Sequence, residues 1–306
     1  MRAPRLFLVD VFAQSPLEGN PLAVVVCDKE LDESRMQALA FEVNFSETTF
    51  VSSRPGADGA YRVRMFTPAR EVDFAGHPIL GTAWVLRRYV AKPDRSTPVR
   101  LALNRGVVPV TFEGHAGALT AWFQSPPIRL GARFPAAATA KALGLRAREI
   151  DDGFPVQVAS AGTRALMVPL RSLESLQRAR LDASQLAPLV AAGAPALAYL
   201  FCPAARTAGN QLTARFFFDA NGVREDPATG NGAAFLGAYL MKHGMLGPGP
   251  LDLRIEQGIQ VGRPSLVRMR AGTSDGRLAV SVGGQVLEVA KGAIASGVLA
   301  RSRARS

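Results

Sequence analysis

Two short segments carry the residue types that most directly suggest chemistry. GHPILG, beginning at Gly76, and TGNGAA, with Gly230 as its second residue, both place glycines and small residues where an apolar helical run begins. The first N–H groups of a helix lack intrahelical partners and share its positive end, so they can hold an anion. Gly76 and Gly230 would let a ligand come close to the backbone there. If the two helix starts faced each other, they would grip a small carboxylate and stabilise charge developing beside it. The same glycines would also let helices pack closely, and the pattern alone leaves both readings open. Neither segment matches a phosphate-binding glycine loop.

The surrounding pattern indicates which elements must position these starts. LFLVDVFA, LAVVVC, SETTFVSS and AYRVRMFTP read as strands, and PLEGNP as a turn. LDESRMQALAFEVN changes period: Leu31, Met36, Leu39, Ala40 and Val43 recur at helical spacing, with Asp32 as the expected N-cap. PILGTAWVLRRYV reads as a helix opening at Pro78, since proline suits a first helical turn. In the second half ALAYLFCP and QLTARFFFD are strands, and ATGNGAAFLGAYLMKHG is a helix ending at Gly244. VRMF, a polar turn, Asp73 and AGH precede the first of these glycine-started helices. ARFF, a polar turn, Asp226 and ATG precede the second, half a chain later, which indicates an internal duplication. The expected class is α+β: two similar domains, each a mostly antiparallel sheet around a central helix, with a cleft between them. The expected boundaries are 1–126 and 127–283, with PPIRLGARFP as the linker. The strands in RLAVSVGG and QVLEVAKG could join either half, so 284–300 could complete the first domain. Residues 301–306 are expected to be a frayed basic tail.

Composition narrows the function classes. With 306 residues, 48% hydrophobic and 20% charged, the chain has material for two folded domains. The net charge of +11 raises the question of nucleic acid. Its arginines are scattered, apart from RSRARS at the end, and form no stripe with interleaved aromatics, so no nucleic-acid partner is expected. No apolar run approaches the length of a membrane span. The N-terminus enters a strand pattern rather than a secretion signal, and a cytoplasmic location is expected. Cys27 and Cys202 have neither metal nor disulfide-framework spacing, and no metal or other cofactor is expected.

Five segments in order, VDVFAQSPLEGNPLAVV, FSETTFV, MFTPAREVDFAGHPILGTA, EDPATGNGA and EQGIQVGRPS, resemble the signature segments of the phenazine-biosynthesis (PhzF-like) family. They span residues 9–265. The resemblance implies the diaminopimelate-epimerase-like fold, cofactor-independent proton-shift chemistry on a small unsaturated amino or hydroxy carboxylic acid, and a homodimer. For the family's namesake the substrate is trans-2,3-dihydro-3-hydroxyanthranilate. Racemases and epimerases of the wider superfamily use two thiols, one at each helix start. Here those positions are Ala75 and Ala228, so a two-thiol racemase lacks both its acid–base groups.

By the same resemblance Glu47, in SETTF, is the catalytic glutamate. A single carboxyl that takes a proton from one carbon and returns it to another performs an allylic isomerisation. A lone glutamate between a helix and a strand would otherwise be a cap or a surface residue. His77, in AGHP, would hydrogen-bond a substrate group, although a histidine at a helix start also suits a structural role. Asp226, in DPATG, would hold a substrate amine or else cap its helix. Asp73 is expected to cap its own. Asn20 would lie near the cleft or serve its turn. Asn231 stands where the phenazine enzyme has serine; it can still donate to a carboxylate but is bulkier. His115 and His243 read as surface or capping residues. Two rivals remain: an amino-acid epimerase or racemase of this fold, and a non-catalytic small-molecule-binding homologue.

Overall fold

The computed structural model describes residues 3–91, 97–115, 118–220 and 223–299. The tail expected at 301–306 lies outside them. In chain order the strands are β1 (Arg5–Val11), β2 (Asn20–Cys27), β3 (Glu47–Ser52), β4 (Tyr61–Phe66), β5 (Glu71–Val72), β6 (Val99–Leu103), β7 (Gly106–Glu113), β8 (Thr120–Gln124) and β9 (Arg129–Arg133). They continue as β10 (Gln157–Ala161), β11 (Thr163–Pro169), β12 (Ala198–Cys202), β13 (Leu212–Ala220), β14 (Val223–Asp226), β15 (Leu251–Gln257), β16 (Ser265–Ser274) and β17 (Arg277–Ala293). The α-helices are α1 (Glu33–Val43), α2 (Gly76–Leu86), α3 (Ala136–Ala142), α4 (Leu173–Arg178), α5 (Ala183–Ala191), α6 (Gly230–His243) and α7 (Ser296–Leu299). Strand pairing is mixed, parallel and antiparallel, and helices are few. The chain divides into two compact units, one drawn from Met1–Val11, Pro21–Ala121 and Val286–Ser306, the other from Phe12–Asn20 and Trp122–Gln285.

In the first unit the sheet packs α2 on one face and α1 on the other. Strand alternation separates the two layers. Val25, Cys27 and Phe50 join Met36, Leu39 and Ala40 of α1 in one apolar cluster. Leu22, on the opposite face of β2, meets α2 at Gly81, where a Cβ would lie 2.5 Å from Leu22 and 2.9 Å from Val11. Glycine is required at that point because the helix touches the strands backbone-close. Asp32 caps α1 by accepting from the Arg35 N–H, as the sequence suggests. The second helix begins at Gly76 rather than Pro78. Proline tolerates this, since the whole first turn has no intrahelical acceptors for its N–H groups.

The second unit repeats the plan around α6. One face of its sheet presents Val158, Leu166, Val168, Leu200 and Phe217 to a core that Leu176 and Ala179, at the end of α4, complete. The other face presents Tyr199 to α6, where a Cβ on Gly232 would lie 2.3 Å from the tyrosine ring. Gly237 likewise lets α6 sit against Met269 and Val280. The stretch read as a linker instead contains β9, paired antiparallel with β10.

Each central helix is preceded by a hairpin with the same internal lock. In β4–β5, Arg64 donates to both carboxylate oxygens of Glu71, at 2.8 and 2.5 Å. In β13–β14, Arg215 donates to both oxygens of Glu225, at 2.9 and 2.6 Å. This shared two-pronged geometry supports the duplication read from VRMF and ARFF.

Candidate active site

The first group of site residues is built where β3 runs alongside the start of α2. Thr49 and Thr82 share a hydrogen bond of 2.8 Å between their hydroxyls, which fixes the strand against the helix. Two residues earlier on the strand is Glu47, and five earlier on the helix is His77. Their side chains meet with Glu47 Oε2 3.6 Å from His77 Nε2.

The state of His77 follows from its surroundings. It is buried, and its ring donates to the Pro21 carbonyl. Nε2 makes no hydrogen bond, so the donating nitrogen is Nδ1. Burial drives the imidazole pKa down to about 3, and the Pro21 bond only partly offsets this. The ring is therefore neutral at physiological pH, with its proton on Nδ1 and a bare lone pair on Nε2 directed at Glu47. Such a nitrogen can accept from a protonated Glu47 or from a substrate O–H or N–H; it cannot donate. The Glu47–His77 contact is thus a contact of a carboxyl with a neutral ring, not an ion pair. Ala75 is the N-cap of α2 and supplies no side-chain bond. Gly76 and His77 follow it as the first helical residues.

The second group is built at the start of α6. Asp226 ends β14 and pairs across the ladder with Phe216. Its Oδ1 accepts from Asn20 Nδ2 at 2.8 Å, and its Oδ2 accepts from the Thr229 hydroxyl at 2.5 Å. Asn20 Nδ2 also donates to the Ala228 carbonyl at 2.8 Å. Gln257 donates to the Asp226 carbonyl and accepts from the Thr229 N–H. Burial pushes the Asp226 carboxyl up to about 7, against the lowering effect of the Thr229 and Asn20 bonds. The turn before Asn20 is held by Arg263, which donates to the carbonyls of Glu18 and Gly19.

Several expected roles take a different form. Thr229, not Asp226, is the N-cap of α6, and its hydroxyl turns back to Asp226 instead of capping. Asn20 is completely buried and tied to Asp226, which exceeds a plain turn role. Asn231, in the first turn of α6 after Gly230, donates over 3.5 Å to the Thr163 hydroxyl. Asp73 caps nothing: it accepts from Asn104 and Arg105 at the surface, and the extended Ala75, two residues later, takes the N-cap position. His243 shares a hydrogen bond with the Gln157 side chain, and His115 is exposed. Cys27 and Cys202 end β2 and β12 and are buried. Burial pushes their thiols up to about 12 and about 11, so both are protonated. Among the described residues, no three His, Cys, Asp or Glu side chains come together as metal ligands. Nor is any described helix long and apolar enough to cross a membrane.

Pro21, Thr229, Gln257 and Arg263 were not singled out from the sequence. Thr229 and Gln257 sit inside the quoted segments EDPATGNGA and EQGIQVGRPS, so those segments held the signal. Pro21 acts through its carbonyl, which leaves no mark on residue type.

The family model for phenazine biosynthesis-like proteins (PhzC-PhzF) matches residues 9–292. The chain belongs to this family. It is 38% identical to the trans-2,3-dihydro-3-hydroxyanthranilate isomerase of Pseudomonas aeruginosa over 297 residues, covering 94% of this chain and 98% of that one. The PhzF-family protein of Bacillus anthracis superposes with a TM-score of 0.86 at 24% identity, covering 96% of this chain and 100% of that one. The wider fold extends to a probable proline racemase of Agrobacterium radiobacter, with a TM-score of 0.63 at 12% identity, covering 95% and 93%. This PhzF-family protein is an isomerase, with a fold shared by PhzF-family proteins and by that probable proline racemase.

Proposed function

We propose that the protein shifts a proton within a small unsaturated amino or hydroxy carboxylic acid, with Glu47 as the only acid–base group. The observation that carries this reading is the contact of Glu47 with the bare Nε2 of a neutral His77 at the start of α2. In the forward step Glu47 takes a proton from an sp³ carbon. The C–H electron pair becomes part of a new double bond, the old double bond moves along, and Glu47, once its carboxyl proton has exchanged with solvent, protonates the far carbon. Atoms and electrons balance without a second base. The N–H groups at the start of α2 favour negative charge developing on the substrate. His77 accepts from the Glu47 carboxyl while that group holds the proton, and so keeps it aimed.

Asp226, held in place by Asn20, is proposed to bind the substrate's amine or hydroxyl, and Asn231 with the Gly230 backbone its carboxylate. The substrate of the Pseudomonas aeruginosa relative, trans-2,3-dihydro-3-hydroxyanthranilate, has these groups and is the first compound to test. An epimerase reading is disfavoured by Ala75 and Ala228 at the two helix starts and by two cysteines that are buried and protonated. Incubation of that compound and other unsaturated amino or hydroxy acids in deuterium oxide, followed by mass spectrometry, tests the proposal. Isomerised product carrying solvent deuterium supports it; no exchange with any of them contradicts it.

A further inference from the structure

α1 does not cover the whole of the sheet face on which it packs. Met36 is its first buried residue, and Glu33 and Ser34 before it are exposed. Beside that helix start the ends of β2, β3 and β4 surround a cavity, open to solvent, with about 490 Å³ of empty space. Its floor is apolar, formed by the buried Cys27, Met36 and Phe50 with the half-buried Leu31. Its rim carries Glu30, Arg62 and Arg64. Strand alternation puts Phe50 on the opposite face of β3 from Glu47 and Thr49, so the cavity is separate from the Glu47–His77 contact.

The rim charges are unequally committed. Arg64 is held by both oxygens of Glu71 and donates to Glu33 at 2.7 Å. Glu30 approaches Arg64 only to 3.8 Å, and its side chain is 62% exposed. Among the described residues Arg62 makes one hydrogen bond, from Nη2 to Asn104 Oδ1 at 2.7 Å, although a guanidinium has five N–H groups to give. The hairpin lock accounts for Arg64, but neither the lock nor the core accounts for Arg62, two residues earlier on the same face. An underused cation and an underused anion thus flank one apolar hollow. Burial, with Asp28 and Glu30 nearby, pushes the Cys27 thiol up to about 12, so it lines the hollow as an apolar wall and not as a nucleophile.

We propose that this cavity binds a free α-amino acid with an apolar side chain, at a site separate from the isomerase centre. The side chain enters the hollow between Cys27, Leu31, Met36 and Phe50, the carboxylate accepts from Arg62, and the ammonium group pairs with Glu30. The empty space falls in the range of small-ligand pockets, which join apolar walls to a few placed polar groups. Burial of the side chain supplies affinity, and the two opposite charges select the zwitterion. An apolar acid or an apolar amine would satisfy only one of them.

Calorimetry on the whole protein, with leucine and phenylalanine as probes, tests this. Binding with a Kd of about 1 mM or below is expected for at least one of them. Glycine, which lacks the apolar side chain, should bind at least about 10-fold more weakly. Isocaproate and isoamylamine, each leucine without one of its charged groups, should each bind about 5-fold more weakly or worse. Arg62→Gln and Glu30→Gln, at exposed positions outside the catalytic machinery, should weaken leucine binding by a similar factor while the melting temperature stays unchanged. In NMR the Met36 methyl signal should shift on titration, and that of Met269, packed against α6, should not. No binding of either probe at about 10 mM overturns the proposal, as does an affinity that both variants leave unchanged. Isocaproate binding as tightly as leucine also overturns it, and so does leucine binding that Asp226→Asn abolishes, which would put the ligand at the isomerase site. None of these results bears on the role of Glu47.

Discussion

Glu47 Oε2 lies 3.6 Å from His77 Nε2, on the same strand and helix that the Thr49–Thr82 hydroxyl hydrogen bond of 2.8 Å ties together. The Pro21 carbonyl then decides which ring nitrogen faces the carboxyl.

If His77 works as an acceptor, a side chain able to accept should preserve part of its function. His77→Gln is expected to lower kcat by about 10-fold, and His77→Leu by about 100-fold or more. Steady-state kinetics of the two variants provide the check. Equal losses would show that Nε2 does not act through its lone pair.

His77 also makes stability depend on pH. Its folded-state value of about 3 lies below the ordinary 6.5, so the folded protein binds this proton less readily than the unfolded chain. The corresponding stability is fully present above pH 6.5 and is lost as pH falls toward 3, amounting to on the order of 5 kcal/mol. Urea denaturation across that window should show a steep acid-side decline in wild type. His77→Gln should be less stable at pH 7 yet decline less between pH 6.5 and 4.

Asp226 carries the opposite sign. Burial raises its carboxyl from 3.8 to about 7 in the folded protein. Its contribution is fully present below pH 3.8 and is lost as pH rises through 7. Asp226→Asn should therefore gain stability relative to wild type when pH is raised from 5 to 8. If Asp226 binds substrate, the same variant should also raise KM more than it lowers kcat and remove any limb near pH 7 from the kcat/KM profile.

Much of this arrangement was legible in residue types. The period change at Leu31–Val43 and the Asp32 cap specify α1, and the glycine-started apolar runs specify the two central helices. The paired VRMF and ARFF segments mark the two hairpins with matching Arg–Glu locks. What the residue types left open depends on the backbone and on contacts remote in sequence. Pro21 sets the His77 tautomer through a carbonyl that every residue possesses. Asn20 reaches Asp226 over 206 positions, beyond any local period. Asp73 and Asp226 occupy similar places in the repeated pattern, yet only Asp226 is enclosed. The strand β9 hid behind a proline pair and a glycine that read as a linker.

The Arg215–Glu225 lock should matter to the fold, since both side chains are almost wholly buried, at 3% and 7% exposure. Glu225→Gln is expected to destabilise the protein by about 3–5 kcal/mol because it strips a buried guanidinium of its counter-charge. Arg64→Gln, in the more exposed lock of the other hairpin, should cost less. Urea midpoints of the two variants test the order.

The central claim is that one carboxyl moves the proton. Solvent-deuterium incorporation during isomerisation of trans-2,3-dihydro-3-hydroxyanthranilate, followed in wild type and Glu47→Gln, measures it most directly. Wild type should place one solvent deuteron on the product carbon, and Glu47→Gln should lose the reaction by at least about 1,000-fold while keeping its melting temperature. Deuterium incorporation by Glu47→Gln at a rate close to wild type would contradict the account.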